Sequence, residues 1–358
     1  MKNELLSTQD AAAYAAKLCN VDIVPNFPSP FANEIVEKLR QIHRCEIFDI
    51  ESQNSAILAA LSSEACEKRT FLPLSAIRTI EEFYITSFMR LPIVGVNISR
   101  PIDNYSLIYN HNDILALRDA GWLIFMPESV QEVIDTIIHA YRICEDSKVL
   151  LPAMINIDMI IRETVQIPTE QFVKNFLPKL KLPHKIDVKN PKIFGVPVEN
   201  YEEFKLQQHL AMKNALNLMP KIYEKWKKLK RNYNIIEKYM LDDAEYAIVI
   251  TGFNSTTAKS AINKMRELGK KVGLLRLRVL RPWPKDEISK ALKDIKKVAV
   301  LDHAISLGYG GILYLDMKSC YNGFISNFIS LGKHLIDDDF IKIISRIEKS
   351  EKEEIVWI

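Results

Sequence analysis

The chain has 358 residues, 48% of them hydrophobic, which suffices for two or three domains with real cores. With 48 Lys+Arg against 45 Asp+Glu the formal charge is only +3, and no basic stripe interleaved with aromatics is present, which argues against a nucleic-acid-binding protein. No run approaches the roughly 20 apolar residues that cross a bilayer, and the polar start MKNELLSTQD has no signal-peptide core, so a cytoplasmic protein off the membrane is expected.

Thr8 to Leu18 reads as an amphipathic helix capped by Ser7, and VDIVP as a short strand entering the proline turn FPSP. A helical pattern over Ala32–Ile42 precedes the strand-like CEIFDIES. Asn54 is placed to cap a helix from Ser55 to Cys66. TFLPL is extended, Ile77–Met89 helical, and LPIVGVNI a buried strand by composition. WLIFMP, then Val130–Ile143, then VLLPAMINI repeat the alternation, which implies an α/β layer with a largely parallel sheet. The proline-bearing stretch Leu182–Pro197 reads as a linker or edge excursion, and Tyr201–Tyr239 as mostly helical, its KWKKLKR run as a solvated helix face. A second α/β unit starts near Asp243. AEYAIVITG is a strand, Ser255 or Thr256 caps a helix running to Leu268, and KVGLLRLRVL and VAVLDHA are further strands. GYGGILYLDMKS then opens another helix. The expected division is 1–190, a linker and helical segment over 191–240, and 241–358.

The five cysteines, Cys19, Cys45, Cys66, Cys144 and Cys320, are scattered and never spaced C-x-x-C. That argues against a disulfide framework, structural zinc or an iron–sulfur cluster. If the chain serves redox chemistry, another chain carries the electrons. Of the eleven glycines the first is Gly95, so no glycine-rich phosphate loop sits in the first 94 residues. Gly308, Gly310 and Gly311 lie between a strand and a helix, where they suit either a phosphate or a tight turn with close helix–strand packing; the dinucleotide fingerprint is incomplete.

Three groups of residues are candidates for a site. Arg100 follows an apolar strand, and a guanidinium at a strand end suits a carboxylate held bidentately, or an ordinary ion pair. Ile108–Trp122 concentrates Asn110, His111, Asn112, Asp113, Arg118 and Asp119. Their spacing matches no standard metal site, and they read as a structured polar loop in which Asp113 caps a helix and Arg118 and Asp119 lock the chain. Glu51 and Gln53, two apart at the end of a strand, are expected on one face, bringing a carboxylate and an amide together.

GVNISRPIDNYSLIYNHNDILALRDAGW, PESVQEVIDTIIHAYRICEDSKVLLPAMINID, DDAEYAIVITG, KVGLLRLRVLRPWP and VAVLDHAISLGYGGILYLDMKS together resemble the alpha subunit of pyruvate:ferredoxin oxidoreductases, over nearly the whole chain. The resemblance implies two thiamine-enzyme-type α/β domains with mostly parallel sheets: a pyrimidine-binding-like domain and a transketolase C-terminal-like domain. It implies thiamine diphosphate shared with a beta subunit, with magnesium and the iron–sulfur clusters held by partner subunits only. The partners would be beta, gamma and ferredoxin-like delta subunits, with ferredoxin, pyruvate and coenzyme A. Pro-Ile-Asp-Asn-Tyr after Arg100, where relatives for larger 2-oxoacids tend to carry Gly-Pro-Ser-Thr-Gly, favours the pyruvate type.

Carried onto this sequence, Arg100 binds the pyruvate carboxylate and Ser29, in Phe27-Pro28-Ser29-Pro30, presents a hydroxyl to the substrate. At Gln53 the family has a glutamate that bonds the pyrimidine ring; the amide can hydrogen-bond but cannot relay a proton, and Glu51 is the substitute two residues away. Two other readings stand beside an active subunit: a non-catalytic paralogue with an assembly or regulatory role, and a free-standing protein that binds a carboxylate at Arg100.

Overall fold

The computed structural model describes residues 2–103, 108–187, 189 and 198–358. Most of the stretch Leu182–Pro197, and Asn104 and Tyr105 of the segment after Arg100, lie outside the described residues. Two large sheets organise the described residues. The first runs in the order Val279–Arg281, Leu123–Phe125, Ala153–Ile157, Val94–Ile98, Phe71–Ser75, all parallel except the outer Val279–Arg281. A parallel pair, Ile23–Asn26 with Glu46–Asp49, continues beside it through an Ile23–Thr70 bridge. The second has six strands in the order Ile355–Trp357, Phe324–Ile329, Lys297–Asp302, Tyr246–Ile250, Val272–Leu277, Ile236–Tyr239, with only the last antiparallel. The apolar runs VGVNI and AMINI are buried along their whole length, as parallel strands between helices must be.

Local chemistry explains the helix starts. Ser7 accepts from the Asp10 main chain at 3.0 Å and the Asp10 carboxylate answers to the Ser7 N–H, a reciprocal cap on Thr8–Leu18. All five of this helix's alanines are buried. Ser129 caps Val130–Cys144 in the same way through the Glu132 N–H.

Several expectations need correction. The helix after Glu46–Asp49 spans Gln53–Ala65 and is capped by Ser52; Asn54 instead donates to Glu82 at 2.7 Å. The helix placed at Ile77–Met89 is shorter, Glu81–Phe88. The helix after Gly252 begins at Asn254, so Ser255 and Thr256 lie inside it and donate back to Gly252 and Phe253 carbonyls. The segment to Tyr239 is not helical throughout: Tyr201–Glu224 is a helix, Lys225–Leu229 a short 3-10 turn, and Ile236–Tyr239 the edge strand of the second sheet. Its basic run is not simply solvated, because the 3-10 turn inserts Trp226 into the core and sends Arg231 to the buried Asp135 at 2.6 Å. An N-terminal strand, Lys2–Ser7, pairs antiparallel with Arg162–Ile167 and carried no clear signal.

The reading of KVGLLRLRVL as one strand fails in an informative way. Val272–Leu277 belongs to the second sheet and Val279–Arg281 to the first, so a single extended segment stitches the two units together. Arg276 and Arg278 sit at this crossing, buried among Glu128, Glu132 and Glu237. Arg276 reaches Glu128 at 2.8 Å and Glu237 at 2.7 Å, Arg278 reaches Glu132 at 2.8 Å, and Lys259 reaches Glu128 at 2.7 Å. These three glutamates stand close enough to hold a cation, but three basic side chains already balance them. Burial pushes the Glu132 carboxyl upward, and Arg276 and Arg278 outweigh that and hold it well below the usual carboxylate range.

Candidate functional site

Phe27–Phe31, Ile50–Gln53 and Ser99–Arg100 follow the strands Ile23–Asn26, Glu46–Asp49 and Val94–Ile98, all at the carboxyl ends of parallel strands. Crevices at such strand ends are where α/β folds bind ligands, because the turns that leave them carry side chains to one rim.

Arg100 is anchored from beneath. Its Nη1 donates to the Ser99 carbonyl at 2.7 Å and its main-chain N–H to Asp113 at 3.3 Å. Asp113 is the hub of this floor, accepting also from Ser99 Oγ at 2.5 Å, Asn97 Nδ2 at 2.8 Å and the Ile114 N–H at 2.7 Å. Burial raises the Asp113 carboxyl against the pull of those donors, and burial lowers the Arg100 guanidinium while Asp113 and Asp158 resist. Asn110 joins through its carbonyl, which accepts from Ser99 Oγ at 2.5 Å. The Arg100 guanidinium stacks on the Phe31 ring, Cζ to centroid 4.3 Å. Among the described residues, Arg100 Nε and Ser29 Oγ are buried without a partner.

Other expected residues fall elsewhere. Asp113 does not cap its helix; His111 precedes Asn112–Ala116, and the Asp113 carboxylate turns back to the strand end. Arg118 and Asp119 meet each other at 3.7 Å in a turn, with Asp119 exposed. Glu51 and Gln53 do not share a strand face, because the strand stops at Asp49 and Ser52 starts a helix. Glu51 is exposed and accepts from Ser55 Oγ at 2.6 Å, a bond that lowers its carboxyl from the ordinary value. Gln53 is buried. Its Nε2 donates to the Ser75 and Ala76 carbonyls at 2.9 and 3.3 Å, and its Oε1 accepts from the Arg78 N–H at 3.0 Å.

Beside this floor the two units meet through His111 and through residues that the sequence reading did not mark. Asp158, at the end of Ala153–Ile157, pairs with His111 Nε2 at 2.8 Å and accepts from the Phe253 N–H at 3.2 Å. Asn254 donates to the Tyr109 hydroxyl at 2.7 Å, and the His111 N–H to the His303 carbonyl at 2.8 Å. Burial lifts the Tyr109 phenol to about 12 and drops His303 to about 4. In the sequence Asp158 and Asn254 each stand as a polar residue near the end of an apolar run, with nothing that pairs the two runs. Gly308, Gly310 and Gly311 form the tight turn: the Asp302 carboxylate itself takes the helix N-terminus, accepting from the Leu313 and Tyr314 N–H groups at 2.7 and 3.0 Å. A Cβ at Gly311 would lie 2.1 Å from that carboxylate.

Residues 14–227 match the family model described as pyruvate flavodoxin/ferredoxin oxidoreductase, thiamine diphosphate-binding, and residues 244–335 match pyruvate:ferredoxin oxidoreductase core domain II. The chain belongs to the pyruvate:ferredoxin oxidoreductase family. It is 36% identical to pyruvate synthase subunit PorA of Methanocaldococcus jannaschii over 99% of this chain and 97% of that protein. Two solved structures share its fold. A 2-oxoglutarate:ferredoxin oxidoreductase from Magnetococcus marinus superposes with TM-score 0.73 at 13% identity, over 96% of this chain and 65% of that one. A split-gene transketolase, an inactive beta4 tetramer, gives TM-score 0.58 at 10% identity over 96% and 98%. The two α/β units with mostly parallel sheets are thus those of thiamine enzymes, and this oxidoreductase-family subunit has no described helix long and apolar enough to cross a membrane.

The family's thiamine diphosphate can be tested against the residues present. A group that shares a proton with the pyrimidine ring needs a free acid at the rim. Gln53 is not an acid, and both ends of its amide are taken by the 75–78 turn. Glu51 is turned to solvent. These two residues do not fit that role, whereas Arg100 and Ser29, each with an unsatisfied polar atom, fit an anion.

Proposed function

We propose that this chain is the alpha subunit of a pyruvate:ferredoxin oxidoreductase, catalysing with its partners the oxidative decarboxylation of pyruvate. Pyruvate and coenzyme A give acetyl-CoA and carbon dioxide, and two electrons pass to ferredoxin; the reverse direction uses the same parts. Thiamine diphosphate is shared with a beta subunit, and magnesium and the iron–sulfur clusters reside in the beta, gamma and ferredoxin-like delta partners. A cytoplasmic location suits that reaction. Relatives named pyruvate synthase subunits support the substrate.

One observation carries the role of this chain's own residues: Arg100 stands at a strand end with a buried, unpartnered Nε, near a turn whose Ser29 hydroxyl is likewise unpartnered. A planar guanidinium with an unused donor is matched to a carboxylate. Asp113 and Asn110 serve by fixing the Arg100 backbone. Arg118, Asp119 and Glu51 have no part in this arrangement. The test is pyruvate-dependent dye reduction by the complex pulled down with a tagged chain. Arg100→Ala is expected to raise KM for pyruvate about tenfold or more, the loss of a charged hydrogen bond. Kinetics untouched by the substitution would support the second reading, a non-catalytic subunit, which the committed amide of Gln53 favours.

A further inference from the structure

The two unpartnered atoms at the rim, Arg100 Nε and Ser29 Oγ, are also closed to solvent. A charged N–H kept from both water and an acceptor is costly, and native structures seldom leave one without a reason. The group lying over the guanidinium is the Phe31 ring, two residues beyond Ser29 in the same turn. The two sides of this stack are held differently. Arg100 is fixed by Ser99 and Asp113. Phe31 is half-buried, precedes the Ala32–Ile42 helix as its N-cap residue, and offers no side-chain cap. A ring on the face of a guanidinium is favourable while no anion is present, but it cannot satisfy Nε–H, which lies in the guanidinium plane.

We propose that Phe31 is a displaceable cover over Arg100: a small carboxylate enters by turning the ring aside, which opens Arg100 Nε and the Ser29 hydroxyl together. The proposal rests on Arg100 being the carboxylate site. Substrate affinity is then the outcome of a competition, because the ring's contact with the cation is surrendered when the anion binds. Phe31 becomes a residue that sets affinity by opposing the substrate. A fixed aromatic wall would act in the opposite direction, by holding Arg100 flat and dry for the anion.

The sign of one substitution separates these. In the assembled complex, KM and kcat for pyruvate are measured with the inhibition constant of oxamate, a carboxylate of similar size that does not react. For Phe31→Ala both KM and the oxamate constant are expected to fall about three- to tenfold with kcat retained, the range a cation–ring contact spans. Phe31→Leu keeps apolar bulk without the ring and is expected to fall less; it also carries the test if the alanine variant does not assemble. Constants that rise or stay unchanged in both variants, while Arg100→Lys raises KM, would overturn the cover and leave the carboxylate site standing. If Arg100→Lys changes neither constant, the site and its cover fall together.

Discussion

Gln53 uses both ends of its amide on one turn, two carbonyls at Nε2 and one N–H at Oε1. A carboxylate cannot donate, so in Gln53→Glu an ionised side chain would face the Ser75 and Ala76 carbonyls. We expect a loss of about 1–3 kcal/mol at pH 8, the cost of unsatisfied buried groups. The loss should shrink toward pH 5, since a carboxyl whose folded pKa is raised stabilises when protonated and ceases to as pH climbs. Thermal melts of the chain at the two pH values check both parts; equal deficits would mean that the carboxyl swings free of the turn. The sequence showed Gln53 as an amide where the family resemblance called for an acid. It did not show that the amide was already engaged, because the partners are main-chain atoms more than twenty positions away. Arg100 was legible from its place after an apolar strand. Phe31 was not, since nothing in a lone phenylalanine tells which cation it covers.

The segment Val272–Arg281 shows what a single element can conceal. Its alternation is that of one strand, yet it serves two sheets. The clue lay in Arg276 and Arg278, two charges inside an apolar run: a buried guanidinium must have acidic partners. Arg276→Met should cost about 3–5 kcal/mol, because Glu128, Glu132 and Glu237 would be left crowded and undercompensated. Urea denaturation gives the number. The helix Ile312–Lys318 makes a different statement. Burial raises its capping carboxyl, Asp302, to about 7. The folded value lies above the unfolded one, so the stabilisation is complete below about pH 4 and is lost as pH rises through 7. In Asp302→Asn that slope should vanish, read from denaturant midpoints between pH 4 and 8.

For the molecule as a whole, α/β alternation was legible in strand–helix order, and the two-unit plan with it. The contact between units was not, because it is built from residues far apart in sequence: Tyr109, His111 and Asp158 against Phe253, Asn254 and His303. Gly252 is its tightest point, with φ +75° and an added Cβ only 2.0 Å from Asp158 Oδ2. Gly252→Ala is therefore expected to loosen the junction. Hydrogen exchange should quicken at the amides of His111 and Phe253, which bond across it, and stay slow at Ala153–Ile157; uniform acceleration would instead signal global destabilisation.

The edge strand Val279–Arg281 has a consequence for how the chain comes into being. During synthesis Leu123–Phe125 leaves the ribosome with its outer hydrogen-bonding side bare, and its antiparallel partner is translated only after the strands Ile236–Tyr239, Tyr246–Ile250 and Val272–Leu277 of the second unit have been made. A bare edge invites wrong partners. The first sheet thus reaches completion late, from the far side of the gene. Dividing the gene anywhere between the two strands would yield a front half with that edge open, however well the rest of it folded.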